Sequence, residues 1–369
     1  MCIRDRGFHI ISGGHWKAVG DEGYQLDPIG TGAFTFKELE VNSHYLYEAV
    51  EDHWRKTAEM DELEFLLVKE DATRVAMLLA GEVHIVDMPW SLVPQIEEAG
   101  FDKVLATRPG WYLMGVIGGQ FYATPEGEDL SDPNNPLTDV RVRRALALAI
   151  NKEELNETFF AGEGQVQIAH LMYNTEPSVP PGLQPYPFDP EEAKQLLTEA
   201  GYPDGFDLEL PYYVLAGLPN IGEIVEAIAS YYRAIGINTE TKIYEGSVLR
   251  EMGRERQITQ AVRFLNNGLV SYQIAYPINL RLLERSNHWF DHPYVAEFID
   301  TFDTTLDEDN RVRIAREFAQ WMQDNVITVP VLFIFPVLGV DPGVVEEYRG
   351  NMINLGPTMD HEYTKMVKR

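Results

Sequence analysis

The sequence has little that would support disulfide-linked, membrane-spanning or nucleic-acid-binding structure. Of its 369 residues one is a cysteine, Cys2, so the chain forms no internal disulfide and has no cysteine-based metal site. It has no run of about 18 apolar residues, and therefore predicts no membrane-spanning helix. Basic residues number 30 against 58 acidic ones, and the net charge of −28 excludes nucleic acid and anionic membrane surfaces as expected partners.

The beginning of the chain lacks the pattern of a signal peptide. Positive charges occur in residues 1–6, but neither an apolar stretch nor a small-residue cleavage site follows them.

Catalytic motifs are missing as well. No Gly-x-Ser-x-Gly elbow occurs, and the acidic residues are so numerous that no pair of them stands out as acid and base. We therefore expect no enzyme and no cofactor.

Two short motifs have a functional and a structural interpretation. His288 and His292 have the spacing of helical metal ligands, but Pro293 follows directly, so we expect this segment to be non-helical and to bind no metal. Gly30 and Gly32 resemble part of a phosphate loop. The strand before them, the third glycine and the helix after them are missing, so a tight turn leading into a strand is expected instead.

Composition and periodicity predict an α/β protein with more than one domain. A hydrophobic content of 45% with 11% aromatics provides for sizeable cores. Apolar alternation over residues 34–50 predicts a β-hairpin. Strand and helix patterns alternate over residues 63–86, where Gly81 is expected to end the helix, and again over residues 190–244. The second region predicts a helix at 190–200 and strands at 207–214 and 238–244. Between these regions, residues 118–136 are rich in glycine, proline and acids, which indicates a linker or surface loop.

The segment 139–151 predicts an amphipathic helix whose apolar positions recur at the helical period. Its first turn is unusual, because Arg141, Arg143 and Arg144 lie near the positive end of the helix dipole. We expect these three side chains to pair with carboxylates elsewhere in the chain or to face solvent.

Several segments, in order along the chain, resemble the extracytoplasmic solute-binding proteins of family 5, which serve ABC importers of peptides, dipeptides and nickel. They comprise a glycine turn, a helix-to-strand signature and two helices, at residues 28–34, 74–86, 139–151 and 188–202. The resemblance implies an α/β, two-lobed, periplasmic-binding-protein-like fold (type II, clamshell). The family has a signal sequence and more of its first lobe before the glycine turn, so we expect the first lobe to be incomplete here.

The same resemblance implies a division of the chain. Residues 1–118 would form the partial first lobe, with 1–6 as foreign sequence. Residues 119–332 would form the second lobe, and 333–369 would return to the first. Two crossing strands, near 116–120 and 331–333, would form the hinge.

In function, the resemblance implies the substrate-binding component of an ABC importer. Such a protein captures a small polar solute, peptide-like or other, between its lobes by hinge closure and delivers it to the permease subunits. The expected location is periplasmic or on the cell surface, with membrane contact through the permease or through a missing N-terminal anchor. An extracytoplasmic sensor with the same clamshell is the alternative. A hydrolase is less favoured because no catalytic motif supports it.

The resemblance places the ligand near the hinge and against the second lobe, and each residue implied there has core packing as its alternative role. The implied ligand-binding residues are Trp111, Tyr112, Met114, Arg263, Asn266, Asn267, Trp289 and Phe290. Peptide binders of the family carry a second-lobe aspartate for the peptide's amino group, but residues 266–270 contain no acid. The two amides favour a neutral polar ligand, and Arg263 would suit a carboxylate.

Overall fold

A computed structural model describes residues 12–105, 111–121, 131–169, 174, 177–214, 218, 220–268, 292–348 and 361–368. The chain divides into two compact units. Residues 1–108 and 336–369 form unit 1, and residues 109–335 form unit 2. Both units combine helices with strands, so the α/β class expected from the sequence is confirmed.

Unit 1 contains small antiparallel sheets with the orders β1-β2-β3, β4-β12-β5 and β13-β14. Its described strands are β1 (Phe34–Glu40), β2 (His44–Ala49), β3 (Glu62–Leu66), β4 (Ile85–Met88), β5 (Asp102–Leu105), β12 (Val337–Val340), β13 (Val345–Glu347) and β14 (Lys365–Met366). Its described helices are α1 (Gly13–Leu26), α2 (Asp71–Leu79) and α3 (Val93–Glu98), with short 3-10 helices at Trp90–Leu92 and His361–Tyr363. The first sheet includes the hairpin expected between residues 34 and 50.

Helices α2 and α3 of unit 1 pack closely on the middle strand of the β4-β12-β5 sheet. Gly339 allows this approach, because a Cβ at that position would lie 2.8 Å from Leu78 and 3.1 Å from Ile96. Both of those side chains are fully buried. Helix α2 ends as its sequence predicts, where Gly81 takes a left-handed conformation with φ of 72°.

Unit 2 is built on one six-stranded sheet with the order β7-β11-β6-β10-β8-β9. Its described strands are β6 (Trp111–Gly118), β7 (Gln165–Val166), β8 (Asp207–Tyr212), β9 (Asn238–Ile243), β10 (Ala261–Gly268) and β11 (Thr328–Ile334). Its described helices are α4 (Val140–Leu148), α5 (Lys152–Phe160), α6 (Pro190–Glu199), α7 (Ile221–Ala234), α8 (Gly246–Arg254), α9 (Pro293–Thr304) and α10 (Glu308–Asn325), with a 3-10 helix at Pro136–Thr138.

Apolar layers cover both faces of this sheet. On one face, α9 and α10 pack together through the stacked rings of Phe298 and Phe318, whose centroids are 3.8 Å apart. On the other face, Tyr232 of α7 lies against Phe264 of β10, with 6.5 Å between ring centroids. Gly115 at the centre of β6 fits between large neighbours, since a Cβ there would lie 3.1 Å from the Phe264 ring.

The boundaries of the two units differ from those expected from the sequence. Strand β6 pairs along its length with β10 and β11. These ladders place 111–118 and 328–334 inside the sheet of unit 2. The chain therefore leaves unit 1 after residue 108 and returns at 336, instead of dividing at 118/119 and 332/333. Residues 1–6, expected to be foreign, lie outside the described residues.

Of the three arginines in the 139–151 segment, Arg144 pairs with a carboxylate elsewhere as expected, since its Nε lies 3.8 Å from Glu192. Arg141 and Arg143 have partners that the sequence did not indicate. Arg141 forms an ion pair with Asp139, the N-cap of its own helix. Arg143 is buried and donates to backbone carbonyls instead of a carboxylate. Its nitrogens lie 2.8 to 3.2 Å from the oxygens of residues 137, 138, 325 and 326. Arg143 thus joins the start of α4 to the end of α10, whose last carbonyls lack helical partners.

Candidate functional site

One edge of the unit 2 sheet collects the ends of its strands. Strands β8 and β9 are parallel to each other and to β10, while β10 and β11 both run antiparallel to β6. The carboxyl ends of β8, β9, β10 and β11 therefore lie together with the beginning of β6. We call this the carboxyl edge. Open α/β sheets bind their ligands at this kind of edge, because the loops that follow the strands converge there.

Most of the sequence-predicted ligand residues lie on the two neighbouring strands β6 and β10. Their register sets Trp111 opposite Gly268, Tyr112 opposite Asn267 and Leu113 opposite Asn266. The structure describes Trp111, Asn266 and Asn267 through their backbone positions, which are at the carboxyl edge. Trp289 and Phe290 lie outside the described residues.

Tyr112 and Met114 are part of the core of unit 2. Their exposed fractions are 1% and 0%, and they belong to the apolar cluster that includes Phe333, Phe298 and Phe318. In this structure the two side chains pack in the core, which is the alternative role that the sequence analysis gave them, and their contact with a ligand stays a prediction. The reason for this packing is that β6 is central and covered on both faces, so its residues face one helix layer or the other.

Arg263 lies on β10 with 3% of its surface exposed. Its guanidinium carbon is 4.6 Å from the centroid of the Tyr213 ring. Burial lowers the pKa of Arg263 to about 10, an effect that Tyr213 opposes and the nearby Arg250 adds to. At neutral pH Arg263 is therefore a buried cation, and its favourable partners are aromatic faces and anions.

Sequence reasoning missed Tyr213 and the helix that packs on it. Tyr213 directly follows β8 at the carboxyl edge, and Gly246 begins α8 against its ring, where a Cβ would lie 3.3 Å from the ring carbons. Tyr244 follows β9, and its hydroxyl donates to the Glu209 carboxylate at 2.9 Å. The available signal was the position of the tyrosines, which lie at the ends of the strands predicted over 207–214 and 238–244.

His292 is a helix cap and an aromatic packing residue. Its Nδ1 accepts the backbone N–H of Tyr294 at 3.2 Å, at the start of α9. Its ring lies 4.8 Å from Phe121 and 4.7 Å from Trp321. Burial, and secondarily Arg143, lowers the pKa of His292. His288 lies outside the described residues. Within those described, no cluster of three or more histidine, cysteine or acidic side chains could hold a metal ion.

In the part of the chain that the structure describes, no helix has the length and apolar character needed to cross a bilayer.

Comparison with known families matches residues 10–268 to "Bacterial extracellular solute-binding proteins, family 5 Middle". The chain belongs to this family. The resemblance read from the sequence segments is thereby confirmed.

Several curated relatives are binding proteins. Heme-binding protein A of Haemophilus influenzae is 30% identical over 253 residues, which cover 67% of this chain and 43% of the relative. The dipeptide-binding protein of Escherichia coli is 27% identical over 352 residues, 92% of this chain and 61% of the relative. A putative ABC transporter peptide-binding protein of Brucella ovis is 25% identical, over 65% of this chain and 44% of the relative. The chain thus spans roughly half the length of these relatives.

Solved structures confirm the expected periplasmic-binding-protein-like fold. NikA from Brucella suis, in complex with Fe(III)-EDTA, superposes with a TM-score of 0.76 and 18% identity over 92% of this chain and 69% of that one. DppA from Helicobacter pylori, in complex with the peptide STSA, has a TM-score of 0.72 and 17% identity over 97% of this chain and 67% of that one. At these identities the likeness concerns the fold.

Proposed function

We propose that this protein is the substrate-binding component of an ABC importer, which captures a small polar solute and delivers it to permease subunits. The observation that carries the proposal is the family match over residues 10–268. It is supported by relatives named as dipeptide-binding and ABC transporter peptide-binding proteins. The family is described as extracellular, and we place this chain outside the cytoplasmic membrane.

The proposed mechanism is hinge closure of two lobes. A solute stabilises the closed form only to the extent that it binds that form more tightly than the open one. The permease then distinguishes the two forms. No covalent chemistry is needed, and the proposed role is binding rather than catalysis.

Within unit 2 we propose the carboxyl edge as the solute-binding surface. Asn266 and Asn267 lie near the end of β10, beside the first residues of β6, and Arg263 lies nearer the start of the same strand. Residues 266–270 offer no carboxylate to a free ammonium group. A solute with a carboxylate and neutral polar groups fits this arrangement better than one whose main feature is a free amine.

The experiment that tests the proposed function is native mass spectrometry of the full chain with candidate solutes. The panel contains dipeptides and tripeptides with free and acetylated amino ends, hemin and nickel–histidine, which represent the ligands named for the relatives and compared structures. We expect one solute per chain, released with unchanged mass. Absence of any complex across the panel contradicts the proposal, and release of cleaved solute would show a hydrolase instead.

A further inference from the structure

Strand β9 is the outer strand of the unit 2 sheet, and among the described residues only β8 pairs with it. The two strands are parallel, and the N–H groups of Asn238 and Tyr244 donate to carbonyls of the β8 segment at 2.9 and 2.8 Å. Along a paired strand, the backbone groups of successive residues point to opposite sides. The N–H and C=O groups of Thr239, Thr241 and Ile243 therefore point away from β8.

Helix α7 holds this outer edge of β9 in place. Arg233 donates to the Thr239 hydroxyl at 3.0 Å, and the Thr241 hydroxyl donates to Glu226 at 3.0 Å. Both threonine side chains are thus fixed on the α7 face of the sheet, and the outward backbone groups form an extended row. The neighbouring Ile243 side chain is 61% exposed. A row of outward backbone groups beside an exposed apolar side chain is a template for a further strand.

The charges on β9 decide which strand can pair with it. Charged side chains usually protect an edge strand, and here Glu240 and Lys242 lie on the face opposite α7. Both are exposed, and Lys242 Nζ lies 3.6 Å from a Glu209 oxygen while 48% of the lysine side chain stays accessible. An acid and a base two residues apart are complementary to the same strand when it runs in the opposite direction.

An antiparallel pair of two β9 strands centred on Thr241 matches both the backbone groups and the charges. Thr241 lies opposite Thr241 of the second copy, and Thr239 lies opposite Ile243, so the residues with outward groups become the hydrogen-bonded pairs. Glu240 lies opposite Lys242 in the closer pairs between them, where opposite charges stabilise a sheet. A shift by one residue mismatches the backbone groups, and a shift by two sets Glu240 or Lys242 opposite itself.

We propose that β9 is a self-pairing edge, through which two copies of this chain form a dimer with its two-fold axis at Thr241. The two unit 2 sheets then become one continuous sheet, and Ile243 packs beside Thr239 of the second copy. One short strand from each copy makes a small contact, so the dimer is weak, with a Kd in the micromolar range. The inference goes beyond solute binding and does not depend on it.

The first test is sedimentation velocity of the full chain from about 1 µM to about 500 µM. The buffer contains about 0.15 M salt, which screens the repulsion between two chains that each have a net charge of −28. We expect a monomer at the lowest concentration and a dimer at the highest.

Charge reversal tests the register of the two strands. Glu240→Lys and Lys242→Glu each set like charges opposite one another, and each should weaken self-association about tenfold. An equimolar mixture of the two variants restores opposite charges in every pair and should restore the dimer. Glu297→Lys, at an exposed position of α9, makes the same change in net charge as Glu240→Lys and should leave the dimer intact. Circular dichroism checks that each variant is folded.

Cross-linking tests the position of the axis. In a Cys2→Ser background, Thr241→Cys brings the Cα atoms of the two new thiols to about 5.5 Å, within the range of a disulfide. Asn238→Cys is the matched control on the same strand, because its two copies lie about 20 Å apart. We expect mild oxidation to link the chains of the Thr241→Cys variant and not those of the Asn238→Cys variant.

A chain that stays monomeric up to about 500 µM overturns the proposal, and this measurement needs no variant. A dimer whose Kd is unchanged by both charge reversals overturns it as well, because the contact then lies elsewhere. The same holds if the Thr241→Cys variant cross-links no faster than the Asn238→Cys variant.

Discussion

Arg143→Met is expected to be the most destabilising single substitution in the first turn of α4. The guanidinium donates to four backbone carbonyls at 2.8 to 3.2 Å, two beside the 3-10 helix 136–138 and two at the end of α10. Asn325 and Val326 are at the C-terminus of that helix, where carbonyls have no helical donors and a cation is favoured.

The expected loss in the free energy of unfolding is the difference between two opposing contributions. Each carbonyl that loses its donor in a buried place destabilises the fold by about 1 to 3 kcal/mol. Part of this loss is offset, because Met also removes the unfavourable free energy of burying a charge. That free energy is seen in the pKa of Arg143, which burial lowers to about 10. We expect a net loss of about 3 to 5 kcal/mol, as for other broken buried charge contacts. For a unit of this size that corresponds to a fall in Tm of about 10 °C.

Urea unfolding followed by circular dichroism measures this loss, with Arg141→Met as the matched control two residues away. Arg141 is largely exposed and pairs with Asp139, so its removal should change the urea midpoint little. The urea midpoint of Arg143→Lys should lie between those of the two Met variants, since one ammonium group cannot reach all four carbonyls. If Arg143→Met unfolds within 1 kcal/mol of the unsubstituted protein, the carbonyl contacts do not stabilise the fold as argued.

Three further predictions concern the core of unit 2. Tyr232→Phe should raise the free energy of unfolding by about 1 kcal/mol, because the buried hydroxyl has no hydrogen-bond partner among the described residues. Tyr186→Phe, which loses a hydrogen bond to a backbone carbonyl, should lower the free energy of unfolding in the same urea assay. Gly115→Ala should lose about 1 to 3 kcal/mol in that assay through crowding against β10 and β11, and an unchanged midpoint would contradict the packing. Lys152 is buried and donates to a backbone carbonyl at 2.7 Å, and burial lowers its pKa to about 8. The unfolded chain therefore binds more protons between pH 8 and about 10.4, and stability rises with pH. From pH 8 to 9.5 the gain over Lys152→Met should be about 1.5 kcal/mol, and parallel pH profiles would exclude the shift.

The elements best predicted from the sequence are those with local end signals. Helix α6 has Asp189 as its N-cap, accepting from the Glu192 N–H at 2.9 Å, and Pro190 at its first position. The sequence predicted 190–200 and the structure gives Pro190–Glu199. Strand β10 and helix α8 were missed, because neither has clear caps or an unambiguous apolar period in the sequence.

The sequence predicted which segments lie side by side at the candidate site, whereas their contact with a ligand stays a prediction. The neighbourhood of 111–114 and 263–267 was predicted from family resemblance, and the register of β6 and β10 brings these segments together. Which side chains face solvent was not predictable, because a strand covered on both faces shows no alternation of polar and apolar residues. The hydrogen-bond partners of Arg143 could not be predicted from the sequence either, because two of the carbonyls to which it donates lie 182 and 183 residues further along the chain.

We propose that this protein binds a solute reversibly and without covalent chemistry, and thermal unfolding with added solute is a direct assay of such binding. A ligand at a hundred times its Kd stabilises the folded form by about 2.7 kcal/mol, which raises Tm by about 5 to 10 °C for a unit of this size. We expect a shift of that size for at least one solute of the mass-spectrometric panel, and we expect it to grow with the logarithm of the solute concentration. A Tm that stays constant for every solute, at concentrations up to the millimolar range, contradicts it.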